Sequence, residues 1–362
     1  MTTAQSDGLV RELFAGPIDI VGDVHGEIEA LRALLQLLGY DDRGNHVNGR
    51  RLVFIGDLCD RGPNSPGVVR IVRQLVEDGR AQLVLGNHEI NLLRGEPKHG
   101  NHWFFGDPAG KHEAEFGATA FAGADEARCI LAFLDRMPLA LERDDLRVVH
   151  AAWTDDQIAA CRAKSLSASE AFDLHEEAAS GSPVAQRLKS DRDRELARHA
   201  AALTNPTQVP PPLPAVAAYD EHQQMSNPLR VVTSGVERVT PTPFYAAGKW
   251  RFVERVPWWR GYAGAAPVVF GHYWRWWDAA NQPRYSKGEA NLFAGDPPDG
   301  WQRNAAGDEV GICIDYSVGV RFRERKAGTR ANFAGRLAAL RWPERQLVFD
   351  SGPGLGRPDL RQ

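Results

Sequence analysis

A chain of 362 residues, 43% apolar and 25% charged, lies in the ordinary globular range and has room for one large domain with an insertion. Its formal net charge of −4 leaves no basic footprint, so nucleic acid is not an expected partner. Met1 to Pro17 shows no leader pattern, no apolar run approaches a membrane span, and Cys59, Cys129, Cys161 and Cys313 share no C-x-x-C spacing, so a bacterial-type cytoplasm fits better than a secreted or membrane setting.

Residues 1–16 read as an N-terminal extension. Ile18, Ile20 and Val21 then mark a strand within Pro17–Gly22, and Ile28, Leu31, Leu35 and Leu38 share one face of a helix over Glu27–Leu38. A strand at Arg51–Gly56, a helix at Ser65–Asp78 and a strand at Ala81–Leu85 continue the alternation, which predicts a βαβαβ unit with a parallel sheet. Asp125–Met137 reads as a helix and Leu146–Val149 as a strand. From about Asp155 to Thr204 the chain is charged and Ala-rich, as in Ser190–Ala202, and reads as solvated helix. Pro210, Pro211, Pro212 and Pro214 suggest a polyproline II connector, with an SH3-type ligand role as the lesser alternative. Strands are expected to resume at Leu229–Thr233, Val268–Phe270, Gly311–Asp315, Gly335–Leu340 and Gln346–Phe349, and could form a second sheet packed on the first.

The polar residues with chemical potential sit where the strands end. The first strand runs into Gly22-Asp23-Val24-His25-Gly26, the second into Gly56-Asp57-Leu58-Cys59-Asp60-Arg61-Gly62 and the third into Gly86-Asn87-His88-Glu89. A fourth ends at His150 and a later one at Gly271-His272. Ligand groups in open α/β sheets collect beyond the carboxyl ends of strands. Any one Asp or His in such a place is ordinarily a turn, a cap or a satisfied core residue. Five in succession point to a site. Carboxylate, imidazole and amide oxygen together suit manganese, iron or zinc, and a shared carboxylate suits two ions.

The clusters GDVHG, GDLCDRG and GNHE resemble the signature of calcineurin-like metallophosphoesterases, and the DRG ending resembles the phosphoprotein phosphatase branch. The resemblance spans roughly 17–155 and 229–350 and leaves 156–228 as a helical and Pro-rich insertion, with 351–362 as a tail. It implies an α/β fold bordering on α+β: a two-sheet β-sandwich flanked by helices, with a helical cap. It also implies two metal ions, most simply manganese, with iron or zinc as substitutes. Asp23, His25 and Asp57 would hold the first, and Asp57, Asn87, His150 and His272 the second. His88 would protonate the leaving oxygen, oriented by Asp60, and Arg61 would grip the phosphate alongside Asn87. A second phosphate-binding arginine is expected at Arg260, with Arg230, Arg251 and Arg255 as competitors.

Other calcineurin-like enzymes end in G-H-x-H, but here the segment reads Gly271-His272-Tyr273-Trp274. An indole only donates and cannot ligate as an imidazole does. This resembles both the phosphatase branch and the symmetrical diadenosine tetraphosphate hydrolases, and the leading expectation is a phosphomonoesterase resembling serine/threonine phosphatases. A symmetrical diadenosine tetraphosphate hydrolase is the alternative, and an inactive binding module on the same fold is a third reading. The expected partner is a phosphorylated protein, nucleotide or small molecule, with no membrane. The insertion would either restrict access to the metals or decorate the surface. Trp258, Trp259, Tyr262, Tyr273, Trp274, Trp276 and Trp277 would either stack a substrate or, more simply, pack the core and its rim. Cys59 reads as a buried inert thiol, Asp315 as structural, and His99, His102 and His112 as solvent-facing.

Overall fold

The alternation at the start of the chain builds one side of a two-sheet sandwich in the computed structural model, which describes residues 8–107, 110–162, 165–246, 249–277, 292–296 and 300–351. The expected tail after residue 351 and the extension before residue 8 lie outside the described residues. Strands β2 (Ile18–Val21), β3 (Arg51–Phe54) and β4 (Ala81–Leu83) run parallel to one another. The antiparallel strands β12 (Ala338–Trp342) and β13 (Gln346–Phe349) complete a five-stranded sheet of order β13-β12-β2-β3-β4. The facing sheet has six strands in the order β1-β5-β6-β9-β11-β10. These are β1 (Val10–Glu12), β5 (Ala140–Arg143), β6 (Leu146–Val149), β9 (Val268–Phe270), β10 (Gln302–Arg303) and β11 (Glu309–Cys313).

The late strands thus do not form a sheet of their own. β9 and β11 join β6, while β12 joins β2, so each sheet is built from both ends of the chain. Nor is β1 part of a bare extension: it pairs parallel with β5, though its three residues are too short for a period to show in sequence.

Period-two alternation assigns the faces. Ile18, Ile20 and Val53 meet Leu146, Val148, Val269 and Ile312 in the core between the sheets. Val21, Leu52 and Phe54 point the other way, under Leu31 and Leu34 of the helix Ile28–Leu38 and Val68 and Val72 of the helix Ser65–Glu77. The second helix starts where Asn64 accepts the Gly67 amide at 2.8 Å and a proline fills the first turn. The first ends where Gly39 turns left-handed at φ 92°.

Between the sheet neighbours β6 and β9 the chain makes a long excursion. It contains the helices Asp155–Arg162, Ala168–Gly181, Pro183–His199, Pro214–Met225 and Pro228–Ser234, then the hairpin β7 (Glu237–Ala246) and β8 (Lys249–Arg255). The helix Pro183–His199 buries only Ala185, as its charged sequence leads one to expect. Residues 229–233 are helical, not the expected strand. Asn227 accepts the Leu229 amide at 3.0 Å, Pro228 opens the turn, and Thr233 satisfies its hydroxyl on the Leu229 carbonyl at 2.7 Å. Capping here outweighs the β-branched run Val231-Val232-Thr233. In the proline stretch Pro210 is buried and Pro214 begins a helix. Among the described residues, no helix is long and apolar enough to cross a membrane.

Candidate metal centre

The loops leaving β2, β3, β4, β6 and β9 bring Asp23, His25, Asp57, Asp60, His88 and His150 together as buried polar residues, with His272 half-buried beside them. Six of the nine described non-glycine residues at positive φ are His25, Asp57, Asp60, Arg61, His272 and Trp274. Left-handed backbone costs energy for such residues, and it is concentrated where the side chains converge. Gly271 is required by close approach: a Cβ there would lie 2.1 Å from Asp23 Oδ1.

Asp57 stands at the middle. Its carboxylate is 3.8 Å from His25 Nε2, 3.7 Å from His88 Nε2 and 3.4 Å from His150 Nε2. Asp23 lies 4.0 Å from His25 Nε2 and accepts the His272 amide at 3.2 Å. Asn87 Oδ1 accepts from His272 Nδ1 at 2.9 Å. The structure gathers His25, Asp57 and His88 into one candidate ion-binding group, and Asp57, His150 and His272 into another.

The surrounding backbone orients these side chains. His25 Nδ1 donates to the Cys59 carbonyl at 3.1 Å and His150 Nδ1 to the Ile55 carbonyl at 2.8 Å. Those bonds set the tautomer and turn each Nε2 lone pair inward, as a ligating histidine requires. Asp57 is held by its own main chain: Glu89 accepts the amides of Asp57 at 2.8 Å, Leu58 at 2.9 Å and Gly86 at 2.9 Å. His88 Nδ1 is bonded to Asp60 Oδ2, whose other oxygen accepts the Trp103 indole at 2.6 Å.

The electrostatics separate the two carboxylates. Burial drives the Asp23 pKa well up, and the neighbouring Asp315 adds to it. Burial also acts to raise Asp57, but His150, His88 and His25 outweigh it and hold Asp57 well below its usual range. His150 responds in kind: burial opposes its charge, yet Asp57 lifts its pKa to about 10. Burial, then Arg61 and His88, push His25 well down.

The residues present fit metal ions. Asp23 Oδ1 and His150 Nε2 are buried with no hydrogen-bond partner among the described residues, and buried polar atoms left so are costly. The donors are oxygen and imidazole nitrogen around a shared carboxylate, which suits borderline divalent cations.

Arg61 lies across the site. Its guanidinium donates to His25 Nε2 at 2.8 Å and to His88 Nε2 at 3.0 Å, and stacks 5.0 Å from the Trp274 ring. Trp274, which stands where other branches place a histidine, therefore supports the arginine. Arg260 does not join this group. It turns toward the Arg303 carbonyl at 3.0 Å and Asp296 at 3.4 Å, because the 3-10 turn Trp258–Gly261 directs it to the 296–305 segment. Its three competitors, Arg230, Arg251 and Arg255, instead line a cavity of about 400 Å³ together with Asn87 and His272. Arg255 also donates to the His272 carbonyl at 3.1 Å.

The aromatic cluster is largely core: Trp258, Trp259, Tyr262, Tyr273 and Trp276 are buried. Cys59 is fully buried, and burial, followed by Asp60 and Glu89, pushes its thiol well up, so it is inert. Asp315 is structural: it accepts the Trp274 and Ser317 amides, both at 2.8 Å, and so fixes the turn after His272. His112 is buried against Phe116, contrary to its expected exposure, while His99 is exposed and pairs with Glu115.

Three site residues carried no assigned role in the sequence. Glu89 was visible inside GNHE, but only the fold shows it holding the Asp57 turn. Trp103 and Gly319 had no local signal; a Cβ on Gly319 would meet the His25 ring at 2.4 Å and Arg61 at 2.9 Å.

Comparison with known proteins matches residues 16–166 to the calcineurin-like phosphoesterase family. The asymmetrical bis(5'-nucleosyl)-tetraphosphatase of Oceanobacillus iheyensis is 48% identical over 80 residues, 21% of this chain and 32% of that protein. The symmetrical bis(5'-nucleosyl)-tetraphosphatase of Ralstonia nicotianae is 32% identical over 149 residues, 39% of this chain and 45% of that protein. The chain thus spans about a third of the length of the first of these relatives and under half of the second. A cold-active protein-tyrosine phosphatase of a psychrophilic Shewanella species covers 96% of this chain and 81% of its own at 16% identity, with a TM-score of 0.46. The two-sheet sandwich with flanking helices is the calcineurin-like metallophosphoesterase fold.

Proposed function

We propose, for a chain whose residues 16–166 match the calcineurin-like phosphoesterase family, that it hydrolyses phosphoester or phosphoanhydride bonds at a dinuclear metal centre. The observation that carries this reading is Asp57, with its carboxylate within 3.8 Å of three inward-facing histidine nitrogens from three separate loops. Asp23, His25 and Asp57 would hold one ion, and Asp57, Asn87, His150 and His272 the other. Bound there, the ions would neutralise phosphoryl oxygens and make water nucleophilic near neutral pH.

The protein's own groups supply the rest. His88 lies with Nδ1 on Asp60, so Nε2 faces the site; once Arg61 has turned from it to a phosphate, a proton carried on Nε2 is the one given to the leaving oxygen. Asp60 holds that ring through Nδ1 and is itself fixed by Trp103. Arg61, now shared between His25 and His88, would turn its planar fork onto a phosphate. Arg255, beside His272, takes the second phosphate-binding place once given to Arg260.

The first choice of substrate is a phosphomonoester, as for serine/threonine phosphatases. A dinucleoside polyphosphate is the second reading, favoured by the two tetraphosphatases that resemble part of the chain. The helices and hairpin between β6 and β9 act as a cap over the metal centre, and manganese is the first metal to load. Purified protein, stripped of metal and then reloaded with manganese, should hydrolyse 4-nitrophenyl phosphate only after reloading. Failure in both states would remove the hydrolase reading and leave a binding module.

A further inference from the structure

The hairpin is built with two chemically different faces. Along Lys249-Trp-Arg-Phe-Val-Glu-Arg255, alternate residues point to opposite sides. Trp250 and Phe252 are buried against Leu213, Val216 and Ala217 of the excursion. Lys249, Arg251, Val253 and Arg255 face the other way, into the cavity of about 400 Å³ that also contains Asn87 and His272. A volume of this size falls within the range of small-molecule sites, roughly 300–1,000 Å³, and exceeds what one phosphate fills.

The charge of that cavity is positive on balance. Arg230 is committed to Glu176 by two hydrogen bonds of 3.1 and 2.9 Å. Arg251 and Arg255 hold bonds of their own, to the Ala246 carbonyl at 3.4 Å and the His272 carbonyl at 3.1 Å, and together with Lys249 they face Asp220 of the helix Pro214–Met225 and Glu237 of β7. Lys249 and Arg251 are close enough to act on each other: burial first, then Arg251, lowers the Lys249 pKa. Two cations drawn together in a partly desolvated wall make a receptor for an anion.

We propose that the hairpin supplies a second-anion subsite, in which Lys249 and Arg251 hold an anionic group in series with the phosphate bound at the metal centre. The preferred substrates then carry at least two phosphates or a phosphate followed by another anion. The subsite rests on the metal-centre reading above, since Asn87 and His272 join the two. Lys249 and Arg251 decide which phosphates are accepted, not how the bond is broken.

The test uses the full chain loaded with manganese, in excess free manganese, and two non-hydrolysable probes: methylphosphonate with one phosphonate, and methylenebisphosphonate with two. Affinities are read as thermal shifts and, independently, as inhibition of 4-nitrophenyl phosphate hydrolysis. The unaltered protein should favour the bisphosphonate by about tenfold or more, the scale of one charge-assisted hydrogen bond. In the Lys249→Ala, Arg251→Ala double variant this preference should shrink to about threefold or less, and Arg251→Lys should retain most of it. Equal affinities in the unaltered protein, or an undiminished preference in the double variant, would overturn the subsite. The preference is a ratio within one protein, so general loss of folding would not imitate it. Loss of nitrophenyl phosphate hydrolysis with the thermal-shift preference intact would count against the hydrolase reading alone.

Discussion

The metal-facing loops and the excursion between β6 and β9 are built on opposite terms. In the loops, Asp57, His25, His150 and Asp60 are buried and each is held in place: Asp57 by Glu89 through its main chain, His25 and His150 by backbone carbonyls, Asp60 by Trp103. The excursion has a small core around Trp250 and Phe252, and its longest helix carries exposed ion pairs such as Lys189 with Asp193 and Arg187 with Asp191. Such exposed pairs contribute little to stability. A region whose geometry is fixed many times over suits bond cleavage, where small displacements are costly. A region with a thin core suits selection of substrate, because its side chains can vary without disturbing the metals.

Three substitutions test that contrast. Asp57→Asn should have the largest effect, with metal content and turnover both falling toward background, because one carboxylate serves both ion groups. Atomic absorption after dialysis checks it, and full metal occupancy would refute the bridging role. His88→Asn should come next: metal content unchanged, turnover slower by about 10²–10⁴-fold on a substrate with a poor leaving group. Unchanged turnover there would end its role as proton donor. Trp250→Ala should affect the excursion alone. A buried Trp-to-Ala change costs about 3–5 kcal/mol, here spent on the small core that holds the hairpin to the helix Pro214–Met225. Hydrogen exchange should rise in residues 214–255 while metal content stays at the level of the unaltered protein. Loss of metal in that variant would show that the two regions are not separable.

Local sequence was enough wherever one strand and the turn after it decide the outcome. The apolar runs at Ile18, Leu52 and Val268, the helix faces at Ile28–Leu38 and Ser65–Glu77, and the placement of Asp23, Asp57, His88, His150 and His272 just after strands follow from short-range pattern. The exceptions each depend on a distant partner. Residues 229–233 have β-branched residues but sit behind an Asn-Pro start, and a helix results. His112 resembles any loop histidine until Phe116 packs on it.

Arginine choice shows the division most plainly. Local spacing proposed Arg260 and admitted Arg230, Arg251 and Arg255, since every arginine looks alike along a chain. Only the hairpin register, pairing Glu237 with Arg255 and Phe244 with Arg251, turns the latter two toward Asn87 and His272. The sequence by itself marked the candidate metal donors, because each follows a strand, most of them with a glycine beside it. The tertiary structure decided which cations face them, because that depends on how a hairpin more than 150 residues after β4 folds back over the sheet ends.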